Sequence, residues 1–221
     1  YAAVFNSGNA STILGGGSMM SVPGLSFPPN VVSFPDGPYI GQNPPPNSGG
    51  VFSPGQAAGN PTAPPVGLIV KKNAAGQWMD DNSHNWTAKV SGANAADSGR
   101  VTGWDLPDRD LAAISASSLS VSYATGLMNI CAAVGVNPVS GKIAVVGTDA
   151  TNEVRFEPNV RGRFVHVMVG LVDATGPGKT VKDLNPHLVP YAAQQVAQSE
   201  RDKSIGDPRG IAWNSSGTRG Y

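Results

Sequence analysis

The sequence predicts an all-β fold. Of its 221 residues, 28 are glycine, 19 are proline and only 14% are charged. Short runs of Val, Ile and Ala alternate with turns of Asn, Ser and Gly, which is the pattern of many short strands. A helical period appears once, in VPYAAQQVAQSERD at residues 189–202. The rest of the chain is therefore predicted to form sheets.

The clearest prediction is a hairpin in NICAAVGVNPVSGKIAVVGTD, residues 129–149. The runs at 130–136 and 143–146 are rich in β-branched residues, which suit a half-buried pleated sheet. Between them, Pro138 fixes φ early in the turn and Gly141 can adopt a positive φ. The two runs are predicted to pair antiparallel through a turn at 137–141.

The same strand–turn–strand plan recurs along the chain. Residues 111–114 and 121–123 flank a turn at Ser117 and Ser118, and residues 164–174 form one long predicted strand. Near the end, residues 211–213 and 219–221 flank a turn at 214–217. Recurrence of one small unit indicates a repeat architecture.

The phrases VGVNPVSGKIAVVGTDATNEV, DLAAISASSLSVSYATG and DPRGIAWNSSGTRGY resemble the YVTN-repeat β-propeller proteins. Residues 143–149 stand where the YVTN strand of that family would be, and residues 111–115 and 167–173 where its VxVID strand would be. VVGTD and LAAIS depart from the family letters. The resemblance implies an all-β partial β-propeller of about two blades of antiparallel strands.

The resemblance also implies that residues 1–221 are a segment of one propeller domain. Both ends of the sequence fall at nearly the same phase of a repeat, so we expect an internal piece of a larger bacterial propeller protein. Other blades of that protein, or another chain, would then complete the propeller.

Residues 11–105 interrupt the repeat with a Pro/Gly-rich stretch. A flexible linker rarely carries so many aromatic residues, among them Trp78, Trp86 and Trp104. Residues 67–71 and 76–79 also read as a hairpin. We therefore predict an ordered inserted loop region whose tryptophans anchor it to the propeller body. Binding surfaces are often built on such long excursions from a rigid scaffold.

The stretch WMDDNSHNW contains the metal candidates Asp80, Asp81 and His84. Carboxylate and amide oxygens suit Ca²⁺, and imidazole suits a transition metal. The spacing does not follow the calcium-loop pattern of EF-hands. A turn stabilised by Asp and Asn side chains and enclosed by Trp78 and Trp86 explains these residues more simply. We therefore predict no metal and no cofactor.

Arginine and aromatic residues gather between two predicted strands, and such residues dominate binding hot spots. The alternative is a solvated loop in which Glu and Arg compensate one another. The predicted binding residues, for a partner protein or a ligand carboxylate, are Arg155, Phe156, Arg161, Arg163, Trp78 and Trp86.

The segment DLPDRD at residues 105–110 places three carboxylates around Arg109. Paired carboxylates can act as acid and base when their separation and pKa values allow it. We favour the other interpretation, in which Asp108 and Asp110 hold a turn through side-chain-to-backbone hydrogen bonds and Arg109 pairs locally.

Lys plus Arg equals Asp plus Glu at 15 each. The chain thus has no basic field to attract nucleic acid, and no run approaches the roughly 20 apolar residues of a membrane span. We find no nucleophile–base pair or cofactor motif, so we expect a non-catalytic scaffold or binding module more than an enzyme.

The resemblance implies a bacterial protein of the periplasm or cell surface, with a protein partner in a surface or redox assembly. The alternative that it leaves open is a propeller enzyme, either a lactonase-like hydrolase or a quinoprotein-type oxidoreductase. Such an enzyme would hold a metal or cofactor at the central channel.

Overall fold

The computed structural model consists mostly of β-strands. It describes residues 1–15, 31–42, 67–152, 165–174, 178–191 and 196–221. The strands in those residues are, in chain order, β1 (Ala2–Ala3), β2 (Ser11–Leu14), β3 (Leu68–Lys72), β4 (Trp78–Met79), β5 (Leu111–Ile114), β6 (Val121–Ala124), β7 (Ile130–Val136), β8 (Ile143–Ala150), β9 (Val165–Val172) and β10 (Lys179–Asp183).

The helices of the described residues are short. Two are α-helices, α1 (Thr87–Val90) and α2 (Gln198–Arg201), and the others are 3₁₀ helices at Gly8–Ala10, Val31–Ser33, Ala95–Ser98 and Pro186–Tyr191.

The continuous helix predicted over residues 189–202 is wrong. Pro190 lies inside the 3₁₀ helix Pro186–Tyr191, where it cannot donate a backbone hydrogen bond. Ala197 is extended, with ψ 144°, directly before α2. Only the last turn of the predicted helix therefore forms an α-helix; residues 192–195 lie outside the described residues.

The strands form three antiparallel sheets, ordered β1-β5-β6, β10-β9-β8-β7 and β2-β3-β4. This arrangement confirms the predicted all-β class. In the four-stranded sheet each strand pairs with the next one in sequence, and Ile143 of β8 lies opposite both Val136 of β7 and Val172 of β9. The interior strand β8 is the most buried of the ten.

The hairpin predicted at 129–149 is confirmed by the pairing of β7 with β8. The Asn137 N–H donates to Lys142 O, and the Gly141 N–H donates to Asn137 O at 3.0 Å. Gly141 adopts φ 70°, which the turn requires and which glycine adopts without strain. The hairpin predicted at 111–123 is confirmed by β5 and β6, and the long strand at 164–174 is β9.

The sheet β1-β5-β6 joins segments that are far apart in sequence. Ala2 lies opposite Ala112, and Ala3 lies opposite Leu111. The intervening chain contributes the separate sheet β2-β3-β4, in which Thr12 lies opposite Val70. The hairpin predicted at 67–79 is β3 and β4 of that sheet.

Two hydrophobic clusters form the core of the part of the chain that the structure describes. One joins the sheet β1-β5-β6 to the four-stranded sheet and contains Leu111, Met128, Ile143 and Val145. The other lies within the sheet β2-β3-β4 and its flanking loops and contains Leu14, Val70, Trp78, Trp86 and Val90, with Trp104 packed against it.

The tryptophans therefore do not anchor the inserted region on a propeller body, and that prediction is wrong. Trp78 and Trp104 contact one another at a ring-centroid distance of 5.5 Å. Both belong to the cluster that the inserted segment builds for itself, because that segment contains enough apolar side chains to bury its own indoles.

The final predicted hairpin is present as a single bridge between Trp213 and Gly220. Ala212 and Tyr221 exchange backbone hydrogen bonds at 2.8 Å. This hairpin contacts the turn that follows β7. In that turn, the Asn137 Nδ2 donates to Gly217 O at 2.8 Å.

We predict that Gly147→Ala destabilises the four-stranded sheet. A Cβ at Gly147 would overlap the carbonyl oxygen of Ile130 and approach the Met128 Sδ at 2.8 Å. Overpacking of this kind costs about 1–3 kcal/mol in the free energy of unfolding, measured by urea denaturation. Gly210→Ala is the matched control, because a Cβ at Gly210 would have no atom within 4 Å. Equal stabilities of the two variants would contradict the packing of β7 against β8.

Candidate functional site

A cavity of about 530 Å³ lies between the sheet β1-β5-β6 and one end of the four-stranded sheet. Its apolar wall consists of Leu111 and Ala113 on β5, Ala124 on β6, Ile143 on β8 and Val172 on β9. The facing side chains of the two sheets leave this space unfilled. Polar side chains, among them Ser122 and Tyr123, complete the lining, and concave sites of this size are typical of ligand pockets.

Charged groups stand at the rim of the cavity. The Lys179 Nζ donates to the Thr125 carbonyl oxygen at 2.5 Å. Asp173 is paired with the Lys142 Nζ at 2.6 Å. In the part of the chain that the structure describes, no carboxylate forms an ion pair with Lys179. The ammonium of Lys179 is therefore a hydrogen-bond donor beside an apolar wall.

Two aspartates lie behind the cavity, at the loop that joins β6 to β7. The Gly126 N–H donates to the Asp108 Oδ2 at 2.7 Å, and the Leu127 N–H donates to the Asp110 Oδ2 at 2.7 Å. Both aspartates form side-chain-to-backbone bonds, but the prediction that these bonds hold the aspartates' own turn is wrong, because the donors lie in the loop of residues 125–127. Pairing with Leu127 places Asp110 in the core, where it is fully buried.

Arg109 does not pair with a neighbouring carboxylate. Its guanidinium carbon lies 4.9 Å from the ring centroid of Tyr123, an arrangement that allows a cation–π contact. The residue therefore covers the outside of β6 while Asp108 and Asp110 face inward.

Burial, together with the nearby carboxyl of Asp108, raises the pKa of the Asp110 carboxyl to about 6 against the opposing hydrogen bond from Leu127. Burial also raises the pKa of the Cys131 thiol to about 12, so this thiol is neutral beside Asp110. The Cys131 Sγ donates weakly to the Asp110 Oδ1 at 3.9 Å. Asp110 is the buried acid of the site.

The turn at residues 80–84 has the structure that the sequence predicts. The Asp80 Oδ1 accepts the N–H groups of Asn82 at 3.0 Å and His84 at 2.8 Å. Its Oδ2 accepts the Tyr39 hydroxyl at 2.7 Å and the Trp86 Nε1–H at 3.0 Å. Four donors around one carboxylate fix the turn without an ion.

The remaining metal candidates have protein partners as well. The Asp81 Oδ2 accepts the Asn152 Nδ2–H at 2.8 Å, and the His84 ring lies 4.3 Å from the Tyr39 ring. Among the described residues, no three His, Cys, Asp or Glu side chains form a group that could hold a metal ion.

The structure describes two of the six predicted binding residues. Trp78 and Trp86 are buried and present no surface to a ligand. Arg155, Phe156, Arg161 and Arg163 lie outside the described residues.

Sequence reasoning did not identify Lys179 or Tyr123 as members of one site. They come from β10 and β6, which lie in different sheets, and no local pattern connects them. One sequence feature could have pointed to Lys179. It follows Gly178 and begins a strand, which places its side chain at the end of a sheet.

Comparisons with protein-family models, with curated proteins and with solved structures found no match to this chain. Among the described residues, no helix has the length and apolar character needed to cross a bilayer.

We predict that Asp110 makes stability depend on pH. Its carboxyl binds a proton near pH 6 in the folded protein but, as an ordinary aspartate, only near about 3.9 in the unfolded chain. Between these values the folded state binds more protons, so stability rises as the pH falls from about 7 to about 4. The expected gain from this group is about 3 kcal/mol in the free energy of unfolding.

Urea denaturation across this pH range provides the measurement. The variant Asp110→Asn should lose the rise in stability, whereas Asp105→Asn should keep it, because Asp105 lies at the surface in an ion pair with Lys72. The same pH dependence of stability in the wild type and in Asp110→Asn would show that Asp110 is ionised in the core.

Proposed function

We propose that this chain is a non-catalytic binding module, and that it forms part of a β-propeller scaffold in an exported or cell-surface bacterial protein. The cavity between its sheets is the ligand site in this proposal. Other blades of the same protein or another chain complete the scaffold, and its partner is a protein of a surface or redox assembly, as the family resemblance implies.

The strand order supports the propeller part of the proposal. A propeller blade is a four-stranded antiparallel sheet whose strands follow one another in sequence, and β7 to β10 have this order. In the same scheme β1, β5 and β6 correspond to the last three strands of a preceding blade. The bridge between Trp213 and Gly220 then begins a further one.

The position of the inserted region is consistent with this scheme. It leaves the sheet after β1 and returns at β5, which is the neighbour of β1 in that sheet. Because the region builds its own sheet and its own core, the strand pairing of β1 with β5 is kept. A blade can accept such an excursion when the two chain ends of the insertion lie close together.

The observation that carries the binding proposal is the combination of the cavity's apolar wall with the Lys179 ammonium. The wall can bury an apolar body, and Lys179 can donate to a carboxylate, a sulfonate or a carbonyl oxygen. The Lys142–Asp173 pair beside it is neutral as a unit. The cavity therefore suits a ligand, or a side chain of a partner protein, with an apolar body and an anionic or hydrogen-bond-accepting end.

Binding of the dye anilinonaphthalene sulfonate tests the proposal, because the dye has an aromatic body and an anionic end. We expect saturable binding with a fluorescence increase. Ala113→Trp fills the cavity and should weaken binding roughly tenfold or more, which corresponds to a loss of at least about 1.4 kcal/mol. Lys179→Gln should weaken it less, because the apolar wall remains.

Ala74→Trp is the matched control, since Ala74 is exposed in the turn between β3 and β4. Equal dye binding by the Ala113→Trp and Ala74→Trp variants would contradict the cavity as the site. Stoichiometric Ca²⁺ or a transition metal in the purified protein would instead support a propeller enzyme of the lactonase-like or quinoprotein type.

A further inference from the structure

The loop of residues 125–127 is held by two carboxylates that bind adjacent backbone amides. The Asp108 Oδ2 accepts from Gly126, and the Asp110 Oδ2 accepts from Leu127, both at 2.7 Å. Gly126 adopts φ 67°, so this tight approach of the loop to the two aspartates suits glycine. The loop joins β6 to β7 and thereby connects the two sheets that enclose the cavity.

One oxygen of this arrangement has no hydrogen bond. The Asp108 Oδ1 is buried, and no donor among the described residues reaches it. The nearby carboxyl group of Asp110, whose pKa Asp108 raises, is itself fully buried. Two neighbouring ionised carboxylates repel one another, whereas a single proton between them removes the repulsion and satisfies the Asp108 Oδ1.

The other charged and titratable groups described around the pair form no ion pair with it. Cys131 on β7 faces Asp110 as a neutral thiol. Lys179 on β10 lies across Gly126, since a Cβ at Gly126 would be 2.6 Å from its Nζ and 3.9 Å from the Asp108 Oδ2. Arg109 stacks on Tyr123. Within the described chain, no cation forms an ion pair with either carboxylate.

We propose that Asp108 and Asp110 share one proton and act as a pH-responsive latch on the loop of residues 125–127. With the proton bound, the Asp110 hydroxyl donates to the Asp108 Oδ1, and both carboxyl groups keep their bonds to Gly126 and Leu127. Without it, repulsion separates the two carboxylates and the loop loosens. The raised pKa of Asp110 sets the change near pH 6.

The latch regulates the cavity through Thr125, and this part of the inference rests on the proposed binding function. The carbonyl oxygen of Thr125 accepts the Lys179 ammonium, and Thr125 also lines the cavity. A closed latch keeps Thr125 in place, so Lys179 stays bound to the protein backbone. An open latch releases Lys179 to a ligand. Ligand affinity is therefore higher above pH 6 than below it.

Amide hydrogen exchange on the full chain tests the latch without any ligand. Protection factors, corrected for the intrinsic pH dependence of exchange, are measured for the Gly126 and Leu127 amides between about pH 5 and about pH 7.5. The Val145 amide in the central strand β8 reports changes in global stability. We expect the protection of Gly126 and Leu127, relative to Val145, to be roughly tenfold greater at the acidic end, with a midpoint near pH 6.

Asp110→Asn should abolish this relative change, whereas Asp105→Asn should retain it. If Asp110→Asn does not fold, titration of the aspartate carboxyl ¹³C signals in the wild-type protein decides the matter. A pair that titrates at the ordinary value of about 4, or loop protection that follows Val145 at every pH, would overturn the latch.

The dye used for the cavity separates the two proposals. Loop protection that depends on pH, in a protein that does not bind the dye, would support the latch and contradict the binding function. Dye binding by a protein whose loop protection is independent of pH would support the binding function and contradict the latch. If both hold, dye affinity falls several-fold from about pH 7.5 to about pH 5 in the wild type and stays constant in Asp110→Asn.

Discussion

Buried asparagine side chains hold the distant segments of this structure together. Asn152 accepts the Ile69 N–H and donates to the Ile69 carbonyl oxygen, both at 2.8 Å, and Asn185 does the same with Ile205. A side-chain amide has one donor edge and one acceptor edge, so it takes the place of a neighbouring strand. The constraint behind this is general, because every buried backbone N–H and C=O needs a partner. In a chain of short strands and long loops, the sheets alone cannot supply a hydrogen-bond partner for every buried backbone group.

These amides also explain how separate sheets become one structure. Asn152, directly after β8, binds the inserted region at β3, and Asn137 binds the C-terminal hairpin at Gly217. Asn129, which is only partly buried, donates to Gly8 O and accepts the Ala150 N–H, which ties the chain after β1 to the four-stranded sheet. The cavity lies between the sheets β1-β5-β6 and β7-β8-β9-β10, at the end of the four-stranded sheet where Ile143 and Val172 pair. The same principle, a polar side chain bound to backbone amides, recurs in Asp108 and Asp110 beside that cavity.

Local features of the fold could be predicted from the sequence, and long-range ones could not. The pairing of β7 with β8 follows from two β-branched runs around Asn137 and Gly141, because a hairpin needs only neighbouring residues. The turn around Asp80 was predictable for the same reason. The pairing of β1 with β5 leaves no such pattern, since about a hundred residues separate the strands. The prediction of the site had the same limit. The sequence showed that Asp108 and Asp110 could bind backbone amides in a turn. Their actual partners in another loop, and the approach of Lys179 from β10, depend on tertiary packing.

The role of Asn152 is tested most directly by hydrogen exchange in the variant Asn152→Ala, with Asn94→Ala at the surface as the control. The substitution leaves the backbone groups of Ile69 without their partners, at a cost of about 1–3 kcal/mol each. The account predicts that protection of the Val70 amide in β3 falls at least roughly tenfold, while that of Val145 in β8 changes much less. Unchanged protection at Val70 would contradict the claim that buried asparagine amides hold the segments of this chain together.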